Sequence, residues 1–138
     1  MIRRYQKGDA QSLAVQVAQT EEAQFFADEF QHIFAYTLCD EKAVYAVFGW
    51  RYGEDEKTAE CFALVSGAIG IKLLELVRFL EKEIPSKMAL HLVDCLIITV
   101  KKNFVAGRRL AELLGFSLVA DLPQFFLGED YQLFERKK

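Results

Sequence analysis

The strongest constraint on this chain is a change of hydrophobic period along it. Ile33 to Cys39, Ala43 to Tyr52 and Thr58 to Val65 are rich in β-branched and aromatic residues. Asp40-Glu41-Lys42 and Gly53-Glu54-Asp55-Glu56 separate them, and both are short and polar. Such runs joined by such turns predict an antiparallel meander. Helical spacing stands on either side of it, which excludes both a pure helix bundle and a pure β-sandwich.

On the N-terminal side, residues 2–5 read as a short strand. Gly8-Asp9 opens a helix with Asp9 as its N-cap, and Ala10, Leu13, Ala14 and Val17 share one face. Thr20 caps a second helix, with Glu21 and Glu22 in its first turn and Phe26 and Phe30 on its buried side. On the C-terminal side, Ile69, Leu73, Leu76, Val77, Leu80 and Ile84 keep helical spacing until Pro85 ends the helix. Residues 86–93 are open between loop, short helix and an early strand. Asp94 to Val100 predicts a strand buried on both faces, because its apolar run is continuous. Val105 to Leu114 predicts a helix stopped by Gly115. Ser117 to Ala120 and Tyr131 to Arg136 are the last strands, joined by a loop carrying Pro123 and Gly128. The order β-α-α-β-β-β-α-β-α-β-β predicts an α/β domain with a mixed, mostly antiparallel sheet.

At 138 residues the chain predicts one domain over 1–138. Lys and Arg total 17 against 20 Asp and Glu, a net charge of −3, which argues against a general nucleic-acid binder. Cys39, Cys61 and Cys95 form no C-x-x-C or C-x-x-H pair, so no metal is expected. They read as buried free thiols in a reducing cytoplasm. The start has no apolar run behind its charges, which argues against a signal peptide. The longest apolar run, Cys95 to Val100, is far short of the ~20 residues of a membrane helix. A cytoplasmic protein without a membrane partner is the expectation.

Element order and length together resemble the GCN5-related N-acetyltransferase superfamily, and three segments carry the likeness. V-K-K-N-F-V-A-G-R-R-L-A-E-L-L-G-F, from Val100 to Phe116, is similar to the family's strand-Asn-helix segment closing on Gly-Phe. Asn103 and Ala106 fill its N-x-x-A element. C-F-A-L-V-S-G-A-I-G-I-K-L-L resembles the strand-loop-helix that holds the cofactor pyrophosphate. The end, Leu127 to Arg136, resembles the G-x-D-Y-x-L-Y-x-R terminus of acetyltransferase-like proteins of phages and prophages. The resemblance implies acetyl-CoA as co-substrate, with Val65, Ser66, Gly67, Ala68, Ile69, Gly70, Ile71, Lys72 and Asn103 on the cofactor side. The physical logic is that a small-residue turn at a helix N-terminus presents N–H groups and a positive dipole end to phosphate. The strand pair 58–65 and 94–100 would admit the pantetheine arm, and N–H groups near Ala63 to Val65 would polarise the thioester carbonyl.

The chain departs from the family pattern at particular positions. Aligned on Gly70, the Gln/Arg-x-x-Gly-x-Gly/Ala loop has Val65 first and Ala68 in its middle Gly position. The residue four before Gly115, where the family often carries a tyrosine acid, is Ala111. Asn103 stands one residue farther from Gly115 than the usual spacing.

For the chemistry, Glu60 is the candidate base on the third meander strand, and a solvent-facing carboxylate is the alternative. Tyr131 is the candidate acid, or a core tyrosine. Lys101, Lys102, Arg108 and Arg109 read as an anion contact or as a solvated helix face. His32 and His91 are isolated and read as structural. Two functions follow. One is an acetyl-CoA-dependent N-acetyltransferase acting directly on a small-molecule or peptide amine. The other is a catalytically inactive phage or prophage protein of the same fold, serving as a virion component or binding module. Aromatic residues in 20–32 and 121–130 (Phe25, Phe26, Phe30, Phe125, Phe126) read as an apolar acceptor wall or as a homodimer interface.

Overall fold

Strand formation follows the β-rich runs closely. The computed structural model describes residues 1–13, 34–52, 57–90 and 93–138. Its strands are β1 (Ile2–Arg4), β2 (Phe34–Cys39), β3 (Val44–Tyr52), β4 (Thr58–Val65), β5 (Cys95–Lys101), β6 (Ser117–Phe126) and β7 (Glu129–Lys137). Its helices are α1 (Lys72–Leu90) and α2 (Val105–Leu113). The strands form one sheet in the order β1-β2-β3-β4-β5-β7-β6. β4 and β5 run parallel where Thr58, Ala59 and Glu60 pair with Cys95, Leu96 and Ile97. β1–β2, β2–β3, β5–β7 and β6–β7 are antiparallel. The second predicted helix, Ala14 and Val17 of the first, His32, His91 and the turn at 53–56 lie outside the described residues.

The chain gathers into two compact units. One comprises Met1–Arg51 and Phe62–Leu76, the other Tyr52–Cys61 and Val77–Lys138. In the first, Ala10, Leu13, Val47 and Leu64 are buried together, with Tyr5, Val44 and Phe62 packed against them. Paired positions on β2 and β3 stack aromatic rings: Phe34 on Trp50 at 5.7 Å and Tyr36 on Phe48 at 6.0 Å between centroids. Such cross-strand pairs fix register. Gly49 faces Ala35 in the same ladder, and a Cβ there would run into the Phe34 carbonyl oxygen.

Asp9 differs from its expected role as an N-cap. Among the described residues its carboxylate bonds backward and across instead. It accepts two bonds from Arg3, at 2.7 and 3.0 Å, one from the Gln6 N–H at 2.8 Å and one from the Thr37 hydroxyl at 2.7 Å. A buried carboxylate needs several donors, and β1 and β2 bring more of them than a helix start would.

In the second unit, Phe134, Phe116, Leu96, Val100, Ala111, Leu114 and Met88 are among the buried apolar residues. α2 lies close on β5: a Cβ at Gly107 would meet the Phe104 ring at 2.6 Å and Val100 Cγ1 at 3.0 Å. α2 ends as expected at Gly115, with φ +87°. The Phe116 N–H donates to the Ala111 carbonyl and the Gly115 N–H to the Glu112 carbonyl, the paired bonds of a Schellman ending. Arg136 Nη1 donates to the Leu114 carbonyl at 2.8 Å.

Three further expectations are corrected. α1 does not end at Pro85 but carries it inside and continues to Leu90. Proline removes one N–H, whereas Met88 beyond it gains burial and Lys87 pairs with Glu83 at 3.9 Å. β6 extends past Ala120 to Phe126, and β7 begins at Glu129. The expected loop shrinks to Leu127-Gly128, both at positive φ, which is the two-residue hairpin geometry. Pro123 is accommodated because β6 ends the sheet order and its register shifts between Leu122 and Phe126. Finally, β5 is buried fully only at Leu96 and Val100, and its other residues are half-buried.

Candidate functional site

The segment between β4 and α1 is built on Ser66, which is buried. Its N–H donates to the Tyr45 carbonyl at 2.8 Å and so ties the end of β4 to β3. Its hydroxyl accepts the Ala68 N–H at 3.1 Å, and its carbonyl accepts the Ile69 N–H at 3.2 Å. A serine folding the chain back on its own backbone makes a tight turn. Gly70 follows at φ +52°, in the left-handed region that a Cβ resists.

The first turn of α1 closes by short-range bonds. Lys72, Leu73 and Leu74 donate to the carbonyls of Ile69, Gly70 and Ile71 at 3.1 to 3.2 Å. The N–H groups of Gly67, Gly70 and Ile71 are left without a partner among the described residues. Gly67, Ala68, Gly70 and Ile71 are exposed, and Ile71 keeps 82% of its surface. Small side chains, free N–H groups and a helix N-terminus together form a cradle suited to an anion. Val65 is buried, so its side chain serves the core rather than a ligand.

Lys72 does not stand alone. Its Nζ lies 3.7 Å from Asp40 Oδ2 and 5.3 Å from the centroid of the Tyr45 ring. Asp40 sits in the β2–β3 turn, where Oδ1 accepts the Lys42 and Ala43 N–H groups at 2.7 and 3.0 Å. Its Oδ2 accepts the Tyr45 hydroxyl at 2.8 Å. The Lys42 N–H, then the Tyr45 hydroxyl, hold the Asp40 carboxyl down to about 2, with Lys72 adding least. In return Asp40 pushes the Tyr45 phenol up. Asp40 and Tyr45 were not expected near the loop. Asp40 read only as a turn residue, and its partner on α1 is distant in sequence.

The other candidates belong to the second unit. Glu60 is half-buried on β4 and pairs in register with Ile97. Beside it, burial first and the Glu60 charge second push the Cys61 thiol up to about 12. Cys39 is buried, whereas Cys61 and Cys95 are only half-buried, and all three are free thiols. Tyr131 is 5% exposed, with Phe125 and Phe126 rings at 5.8 and 6.1 Å. Asn103 is exposed in the turn that leads into α2. In the basic cluster, Arg108 Nη1 donates to the Lys102 carbonyl at 3.4 Å, and Lys102 Nζ lies 4.0 Å from Asp121. Ala111 is buried on α2.

No protein-family model and no curated protein matches the chain by sequence. Solved structures match it over nearly its whole length. An acetyltransferase from Bacillus subtilis in complex with CoA superposes with a TM-score of 0.75 at 13% identity, covering 99% of this chain and 97% of that one. A GNAT-family acetyltransferase from Bacillus anthracis gives 0.74 at 10% identity, covering 99% and 93%. An IAA acetyltransferase from Bacillus cereus gives 0.73 at 15% identity, covering 100% and 99%. The chain has the GNAT acetyltransferase fold. Among the described residues no helix is long and apolar enough to cross a membrane.

Proposed function

We propose that the protein is an acetyl-CoA-dependent N-acetyltransferase that passes an acyl group directly to an amine. The observation that carries this reading is the 66–71 loop: three N–H groups that have no partner among the described residues, at a helix N-terminus directly after β4, in a GNAT fold. The backbone donors fit a pyrophosphate, which needs several N–H groups converging on it. Gly67, Gly70 and Ile71 would hold it through their backbone, with Lys72 supplying a nearby cation. Asn103 is the proposed contact from the turn before α2. Acetyl-CoA, when bound, supplies an activated acyl thioester.

The chain's own part is positioning and proton transfer. An ammonium substrate must lose its proton before it attacks, and Glu60 is the proposed acceptor. Tyr131 is the proposed donor to the leaving thiolate. Its ring packs against those of Phe125 and Phe126, which fixes where the phenol stands. Calorimetry with acetyl-CoA tests the reading, with thermal melts alongside. Ligand at ~100 times Kd adds ~2.7 kcal/mol, which raises the melting temperature by several degrees. Gly70→Glu places a carboxylate in the cradle and is expected to abolish both signals while the variant still melts cooperatively. Undiminished binding by that variant would move the site elsewhere, and no heat at millimolar acetyl-CoA would end the reading.

A second reading is favoured by one observation. Ala111, 3% exposed, cannot supply the tyrosine acid common in the family. Under it the protein is an inactive, phage- or prophage-type binding module of the same fold. Tight acetyl-CoA binding without turnover of any amine in a broad screen would select it.

A further inference from the structure

We infer that Asp40 is a latch on Lys72: it holds this lysine off the anion cradle and so sets how tightly the 66–71 loop binds phosphate. The inference rests on the reading of that loop as the pyrophosphate site. Its basis is the division of labour between the two carboxylate oxygens. Oδ1 is committed to the turn, accepting the Lys42 and Ala43 N–H groups at 2.7 and 3.0 Å. Oδ2 faces the loop side, taking the Tyr45 hydroxyl at 2.8 Å and Lys72 at a looser 3.7 Å.

The pair is therefore asymmetric. Asp40 keeps three close donors when Lys72 leaves, so departure orphans nothing. Among the described residues the Lys72 ammonium meets Asp40 and the Tyr45 ring, both on the β2–β3 hairpin side. Its backbone opens α1 immediately after Gly70 and Ile71, whose N–H groups line the cradle. A flexible four-carbon stem lets the ammonium reach either side. While Nζ stays on Asp40, an arriving phosphate meets a charge pair rather than a cation. Binding gains the lysine only by taking it from the carboxylate, and Tyr45 keeps that carboxylate aimed.

The experiment is a double-mutant cycle on CoA and inorganic pyrophosphate binding, read by calorimetry. Asp40→Asn retains an Oδ1 acceptor for the turn and removes the charge at Oδ2. It is expected to tighten binding about three- to tenfold, while Lys72→Gln weakens it by a similar factor. In the Lys72→Gln background the gain from Asp40→Asn is expected to fall within twofold, because the latch has nothing left to hold. An equal gain in both backgrounds overturns the inference, since that is plain repulsion of the ligand by Asp40. Unchanged or weaker binding by Asp40→Asn overturns it as well. If the wild-type protein binds CoA, these results bear on the latch alone. If it binds neither CoA nor pyrophosphate, the site assignment itself falls and the latch falls with it.

Discussion

Asp9 shows how much one buried charge can organise. Arg3 on β1, Thr37 on β2 and the Gln6 N–H converge on a carboxylate that is 7% exposed. Desolvation pulls its pKa up, but the Arg3, Gln6 and Thr37 hydrogen bonds outweigh it, and the carboxyl is held below its ordinary value. A depressed carboxylate stabilises the fold above its unfolded pKa, and that contribution is lost as pH falls through the folded value. Asp9→Asn keeps the shape and removes the charge. It is expected to cost ~1–3 kcal/mol at neutral pH, because Arg3 loses its counter-charge and one of the two accepting oxygens becomes an NH2 group facing donors. The cost should shrink as pH falls below about 4, where the unfolded chain's carboxyl takes up a proton while the folded one still resists it, and vanish once pH passes below the folded value. Urea titrations of both proteins at several pH values check this. A cost independent of pH would mean that Asp9 acts by shape alone.

At the scale of elements, local pattern was a good guide wherever one run of residues decides the outcome. The β4 bounds Thr58–Val65 follow from its own side chains, and Gly115 marks the end of α2 because only the left-handed turn suits it. The pattern was a poor guide where a partner decides. β6 outruns its expected end because β7 offers a ladder out to Glu129. The Asp40–Lys72 contact joins a turn to a helix start, and no local pattern announces it. Pro85 is the sharpest case, since its ring reads as a stop while Met88 beyond it gains burial. Pro85→Ala restores an N–H facing the Glu81 carbonyl and relieves the ring clash. It is expected to stabilise the protein by ~1–3 kcal/mol, less than the full proline penalty because the helix has already adjusted. A midpoint in urea unchanged within error would show that the proline sits at an end rather than inside.

At the scale of the whole molecule, the loop was legible as a place but not as a device. Small residues between a strand and an amphipathic helix mark where an anion could sit. Which N–H groups stay free depends on Ser66 turning back on Ala68 and Ile69, and that is settled by the Tyr45 carbonyl. The net charge of −3 adds a test of the same site. A polyanion such as CoA is repelled by the molecule at long range and attracted at the cradle at short range. The Debye length falls from about 14 Å at about 0.05 M salt to about 4 Å at about 0.5 M. If the cradle and Lys72 carry the binding, added salt screens their attraction more than it relieves the diffuse repulsion of a weakly charged chain. Affinity for CoA should then drop several-fold over that range, and Lys72→Gln should flatten the dependence. Calorimetry across the salt series decides it. Affinity that rises with salt would show the net repulsion dominating and the loop contributing little charge of its own.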